Sequence, residues 1–113
     1  MARWKRVERE IAKRLGGRRI PLLGREGSDL DVPYLFVEVK SQGRIAPYLW
    51  NDFLDQILTG REVAGDDRIP AIAIHRPGMK YDDALVCIRA GDWERLVEMI
   101  QEATREADTD SGT

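Results

Sequence analysis

The run Tyr34 to Lys40, YLFVEVK, constrains this chain more than any other stretch, because aromatic and β-branched residues give way there to a carboxylate and an ammonium two positions apart. That composition predicts a strand. Successive strand side chains point to opposite faces, so Glu38 and Lys40 project from one side and Val37 and Val39 from the other, towards a core. A solvated sheet edge accounts for a lone Glu and Lys; the acids elsewhere in the chain decide whether that account suffices.

The rest of the chain predicts helices and strands around this run. In Arg3 to Leu15, Trp4, Val7, Ile11 and Leu15 recur at helical spacing, and Gly16-Gly17 ends the helix. Arg19 to Leu23 reads as a short strand and Gly24 to Ser28 as a loop. Gly43 to Pro47 links to a second helix, Tyr48 to Thr59, with Leu49, Trp50, Phe53, Leu54 and Ile57 on its inner face and Gly60 as its cap. Ile69 to His75 reads as a buried strand, Pro77-Gly78 as a turn and Ala84 to Arg89 as another strand. Asp92 is placed to N-cap a last helix whose Trp93, Leu96, Val97, Met99, Ile100 and Ala103 share a face. The expected fold is α/β, a mixed central β-sheet flanked by helices, with one domain over residues 1–103 and a flexible tail over 104–113. At 113 residues, one compact core is all the chain can build.

Three further carboxylates bear on Glu38. Asp29 and Asp31 precede the strand, separated from it by the turn-forming Pro33, so a hairpin folds one of them back beside Glu38. The two have the same strand parity, and alternation does not choose between them. On the first helix, a turn of about 100° per residue places Glu8 inside the apolar arc, whereas Glu10 falls among Arg6, Lys13 and Arg14. A buried carboxylate needs a partner, and for Glu8 that is either a salt bridge to a basic residue or a place in a shared acidic site. Clustered carboxylates repel unless a hard cation neutralises them, which points to Mg²⁺, with Mn²⁺ as substitute. The single Cys87 and single His75 exclude an internal disulfide and a Cys/His zinc cluster within one chain, so any metal has oxygen ligands.

The formal net charge is −2, but Arg3, Lys5, Arg6, Arg9, Lys13, Arg14, Arg18, Arg19 and Arg25 make the N-terminal segment strongly basic, while acids gather from Asp92 onward. One basic face suits contact with phosphates. Arg3, Lys5, Arg6, Arg9 and Arg25, with the loop residues Arg44 and Lys80, are the candidate DNA contacts. No apolar run approaches the roughly 20 residues of a bilayer span, and no apolar stretch follows the basic opening, so the expectation is a cytoplasmic protein with no membrane partner. Gln56, His75 and Cys87 read as a helix-surface amide, a satisfied histidine and a small core residue. Phe53, Trp50 and Trp93 read as core, and Trp4 and Tyr48 suit either core or base stacking.

The helix KRVEREIAKRL resembles the opening helix of the archaeal-type Holliday junction resolvases, and GSDLDVPYLFVEVKSQ resembles the core of the wider PD-(D/E)xK nuclease superfamily, small phage-encoded enzymes included. The resemblance runs from Arg3 to about Ile88. It implies a restriction-endonuclease-like core in which Glu8 is the helical acid, Asp29 the motif aspartate, Glu38 the second acid and Lys40 the catalytic lysine. It favours Asp29 over Asp31, with Asp29, Glu38, the Val39 carbonyl and Glu8 around Mg²⁺. Ser28 stands in the place of the motif's proline, and the short interval from Asp29 to Glu38 demands a tight hairpin. The implied activity is a homodimeric endonuclease that resolves four-way DNA junctions by paired phosphodiester hydrolysis. A nuclease of flaps, single strands or duplex ends, and a non-catalytic DNA-binding module of the same fold, are the alternatives.

Overall fold

A computed structural model of the chain describes residues 3–21, 27–41 and 47–111. Its elements run α1 (Arg3–Arg14), β1 (Arg18–Arg19), β2 (Leu30–Asp31), β3 (Leu35–Ser41), α2 (Pro47–Ala64), β4 (Ile69–His75), β5 (Leu85–Ile88) and α3 (Trp93–Ser111). The central sheet has the order β3-β4-β5, with β3 and β4 parallel from Leu35↔Ile69 to Ser41↔His75 and β5 antiparallel to β4. It is thus a mixed three-stranded sheet with a helix on each side.

Alternation along β3 builds two cores. Val37 joins Val7, Ile11 and Ala12 of α1 with Leu30, Val32, Ala71 and Ala73 on one face. Phe36 joins Phe53 and Ile57 of α2 with Ile72 and Ile74 on the other. β4, IPAIAIH, is buried at every position because both of its faces are covered, as expected of a central strand in a helix-flanked sheet.

The first helix ends as its glycines predict. Gly16 takes φ +85°, and the N–H groups of Gly17 and Gly16 donate to the carbonyls of Ala12 and Lys13 at 2.9 and 3.3 Å, the paired bonds of a Schellman cap. Gly17 has a second role, since a Cβ there would stand 1.8 Å from the Asp31 carbonyl oxygen. That close approach lets β1 pair with β2, Arg18↔Asp31 and Arg19↔Leu30, in a two-residue ribbon outside the central sheet.

Three expectations need correction. α2 does not stop at Gly60, which is buried inside the helix; it continues to Ala64. There Gly65, at φ +65°, takes the cap, with the N–H groups of Gly65 and Asp66 donating to Glu62 and Arg61. α3 runs to Ser111. Its last turns nevertheless face solvent, with residues 104–108 all exposed. Asp92 hydrogen-bonds Arg89 at 2.7 Å, and Trp93 is 61% exposed, not core, because α3 leaves the body of the molecule. Among the described residues no helix is long and apolar enough to cross a membrane.

Candidate active site

β3 is an edge strand of the central sheet, so the N–H groups of Val37 and Val39 face away from β4 and need acceptors. The segment before β2 supplies them. The buried Ser28 hydroxyl oxygen accepts from the Val37 N–H at 2.9 Å and donates to the Leu30 carbonyl at 2.6 Å. The Asp29 N–H donates to the Val37 carbonyl at 2.8 Å. Asp29 Oδ2 then accepts from the Val39 N–H, also at 2.8 Å. A strand residue's N–H and C=O point to the same side, so the Val39 carbonyl is directed to this edge too. This is the tight hairpin the short interval requires, and side-chain oxygens carry part of its ladder.

Burial pushes the Asp29 carboxyl above its usual range, against the Val39 hydrogen bond and the charges of Lys40 and Arg19. Glu8, whose side chain is 12% exposed, is likewise raised, first by burial and then by the charge of Asp29. Arg19 opposes that shift by donating from Nε to Glu8 Oε2 at 2.9 Å, and its guanidinium lies 5.1 Å from the Trp4 ring centroid. The salt bridge considered for Glu8 is therefore present, and its carboxylate also lies in the field of Asp29. In the sequence Arg19 stands out only as one of the basic N-terminal residues. The signal that could have found it is strand alternation, which leaves the Arg18 side chain 83% exposed and that of Arg19 only 18%.

Glu38 and Lys40 project on the α2 face of β3. Lys40 Nζ stands 3.4 Å from Glu38 Oε1, donates to Gln56 Oε1 at 2.9 Å and lies 4.8 Å from the Phe53 ring centroid. The Gln56 amide also reaches Glu38 Oε1 at 3.4 Å. Gln56 is thus exposed as expected of a surface amide, yet it bridges two predicted site residues. Glu8, Asp29, Lys40 and Glu38 form a sequence of electrostatic neighbours, with Glu8 against Asp29, Asp29 in the field of Lys40, and Lys40 against Glu38. Among the described residues, no three His, Cys, Asp or Glu side chains converge as a ready-made metal-ligand group.

Asp31, which parity could not separate from Asp29, lies apart. Its side chain is 54% exposed and pairs with Arg18 and Arg68 at 3.6 and 3.9 Å, in an open depression shared with Gly16 and Tyr34. Glu10 pairs with Arg14 and Lys13 at 3.0 and 3.5 Å as its helical position predicts, and the Arg14 hydrogen bond holds its carboxyl low. Lys5, Arg6, Arg9 and Lys80 are exposed. Arg25, Arg44 and the side chains of Arg3, Tyr48 and Trp50 lie outside the described residues. Trp4 is 52% exposed. His75 is buried, with Nε2 at 2.9 Å from the Met79 carbonyl and its ring stacked on Tyr81; its Nδ1 has no partner among the described residues, so it is only half satisfied. Cys87 packs at the margin of the α2-side core, where burial pushes its thiol up.

No family model, curated protein or solved structure matches this chain.

Proposed function

We propose that the chain is a divalent-metal-dependent DNA endonuclease of the PD-(D/E)xK type, acting on branched DNA as a homodimer. The observation that carries this reading is the Asp29 carboxylate fixed at the β3 edge by the Val39 N–H, in the field of the inward Glu8 and of Lys40. Two neighbouring carboxyls raised by burial are poor anions on their own, and a hard cation with oxygen preference reverses that penalty. The donor set fits Mg²⁺ or Mn²⁺, with Asp29, the Val39 carbonyl and Glu38 as the residues that would hold it and Glu8 as a further acid. Such an ion, when bound, polarises a phosphodiester and activates water.

The chain's own groups account for the remaining requirements. Lys40, anchored by Gln56 and Glu38, offsets negative charge gathering on an attacked phosphate. Lys5, Arg6 and Arg9, exposed on α1, meet backbone phosphates, and affinity governed by such contacts falls steeply with salt. Preference for four-way junctions rests on the sequence resemblance and on the two-fold symmetry a junction shares with a dimer. A non-catalytic DNA-binding module is the second reading, favoured by the pairing of Glu8 with Arg19 and of Glu38 with Lys40.

One assay separates them. Junctions, flaps, single strands and duplexes labelled on each strand are incubated with the protein, with and without Mg²⁺. The expected result is Mg²⁺-dependent paired nicking of opposing junction strands, abolished by Glu38→Ala with the fold intact. Binding without cleavage under every metal condition would establish the module instead, and undiminished cutting by Glu38→Ala would remove this site from the chemistry.

A further inference from the structure

We propose that Trp4 is a stacking platform for one unpaired base of bound DNA, one helical turn from the acid Glu8, so that the site engages a strand where its bases lie outside a continuous duplex. The inference rests on the reading of the chain as a DNA-binding protein and does not require that it cuts.

Trp4, Val7 and Ile11 share one arc of α1. Val7 and Ile11 are buried in the core on that side of the sheet, whereas Trp4 is 52% exposed and belongs to neither core. An indole left outside forgoes the burial that would stabilise it, and tryptophan is enriched where proteins bind partners. Packing therefore does not account for this residue.

Its surroundings are cationic. The Arg19 guanidinium lies 5.1 Å from the ring centroid while its Nε donates to Glu8 Oε2 at 2.9 Å, so one side chain joins the ring to the site acid. Lys5 Nζ lies 5.4 Å from the same centroid. Lys5, Arg6 and Arg9 are exposed, and the first turn of α1 holds no acidic residue. Cations at a helix N-terminus oppose the helix dipole, so helix stability does not account for them either.

A nucleotide satisfies both features. Its base lies over the indole and its phosphate meets the neighbouring ammonium or guanidinium, the combination by which single strands are held. Arg19, tied to Glu8 and only 18% exposed, keeps its place, while the exposed Lys5 side chain moves from the ring to the phosphate. Trp93 is also exposed, at 61%, but among the described residues no cation lies over it, and the first turn of its helix carries Glu94. The charges single out Trp4.

A base inside an uninterrupted duplex is already stacked and must be drawn out before an aromatic side chain can take it. The platform therefore favours single strands, flaps and unpaired bases at a branch point over plain duplex.

The test is binding without divalent metal, which reads the platform apart from cleavage. A short single strand carrying the fluorescent adenine analogue aminopurine should lose fluorescence when the native chain binds it. Trp4→Leu should bind that strand about tenfold to a hundredfold more weakly, the loss expected of one base stack, and should no longer quench it. Its affinity for a blunt duplex should stay within about twofold, because phosphate contacts govern that binding. Trp4→Phe should restore most of the single-strand affinity, whereas Arg6→Gln should weaken both DNAs alike. Circular dichroism checks that each variant is folded. Ultraviolet irradiation of the native chain on an iodouracil-substituted strand, which needs no variant, should place the cross-link on Trp4. Unchanged quenching by Trp4→Leu, equal weakening on both DNAs, or cross-links only elsewhere would overturn the platform and leave the DNA-binding reading standing. Quenching that depends on Trp4 in a chain that cuts no DNA with Mg²⁺ would support the platform and remove the nuclease reading. A native chain that binds neither DNA would overturn both.

Discussion

Replacing Arg19 by methionine tests whether the inward acids are held apart by charge or only by packing. The Glu8 and Arg19 side chains are 12% and 18% exposed, so most of their hydration is lost on folding. Removing one member of a fully buried pair costs about 3–5 kcal/mol, because the other charge stays behind unpaired. The residual exposure here trims that to about 2–3 kcal/mol, and loss of the guanidinium over Trp4 adds about 0.5 kcal/mol. For a domain of this size about 3 kcal/mol lowers Tm by roughly 10 °C. Arg19 is the group that lowers the Glu8 carboxyl, against burial and Asp29, which raise it. In its absence Glu8 is raised further. A carboxyl with a raised folded pKa contributes stability that is fully present below its unfolded value and is lost as pH rises through its folded value. The Arg19→Met deficit must therefore be small near about pH 4 and grow towards about pH 8. Adding Glu8→Gln should recover about 2 kcal/mol of it at neutral pH, a coupling larger than the 0–1 kcal/mol of surface ion pairs. The assay is thermal and urea unfolding of the two single variants and the double at both pH values. A deficit independent of pH, or additivity within about 0.3 kcal/mol, would refute the reasoning.

Ser28→Ala should destabilise the chain by about 2–3 kcal/mol in urea unfolding, since it strips the buried Val37 N–H of its 2.9 Å acceptor and the Leu30 carbonyl of a donor; a loss under about 0.5 kcal/mol would show that the β3 edge holds without it. In single-turnover cleavage of one junction, Glu8→Gln should slow the reaction about a hundredfold or more. Glu10→Gln, which loses only exposed helical pairs, should change the rate by no more than about twofold; equal effects would remove Glu8 from the chemistry.

What was legible in the sequence was whatever rests on local periodicity. α1 announces its inward face through Val7, Ile11 and Ala12, and β4 appears with its observed limits, Ile69 and His75, because a continuous apolar run has little choice but the centre of a sheet. Glu8 was legible for the same reason, as a carboxylate on an apolar arc. The choice between Asp29 and Asp31 was not, because period-2 alternation treats them alike. They are separated by where the backbone turns: Ser28 and Asp29 bond to β3, whereas Asp31 already belongs to the ribbon that faces Arg18 and Arg68. Arg19 is not singled out among the basic N-terminal residues because in a two-residue strand alternation separates it from Arg18 alone, and nothing local says which of the two turns inward. Gly60 reads as a cap because a glycine after an apolar run satisfies the local rule, and only tertiary packing shows that the helix continues past it to Ala64. The exposure of α3 was equally hidden, since an amphipathic pattern says that a face must be covered and not by what.

The ladder at the β3 edge explains why the candidate site can tolerate its own electrostatics. An edge strand needs acceptors for its outward N–H groups whatever the protein does, and here a serine hydroxyl and an aspartate carboxylate provide two of them. Asp29 is therefore held by a backbone bond that stabilises its anion, while burial opposes the same charge. A carboxylate has about four lone-pair sites on its two oxygens, so one hydrogen bond leaves most of its acceptor capacity open. Asp29 commits Oδ2 to Val39, and no hydrogen bond to Oδ1 occurs among the described residues, so the carboxylate can brace the strand with one oxygen and present the other. The cost is two neighbouring acids, Asp29 and Glu8, that burial would rather neutralise. Arg19 offsets part of that cost at both acids and Lys40 part of it at Asp29, so the two carboxyls are accommodated by the chain's own charges.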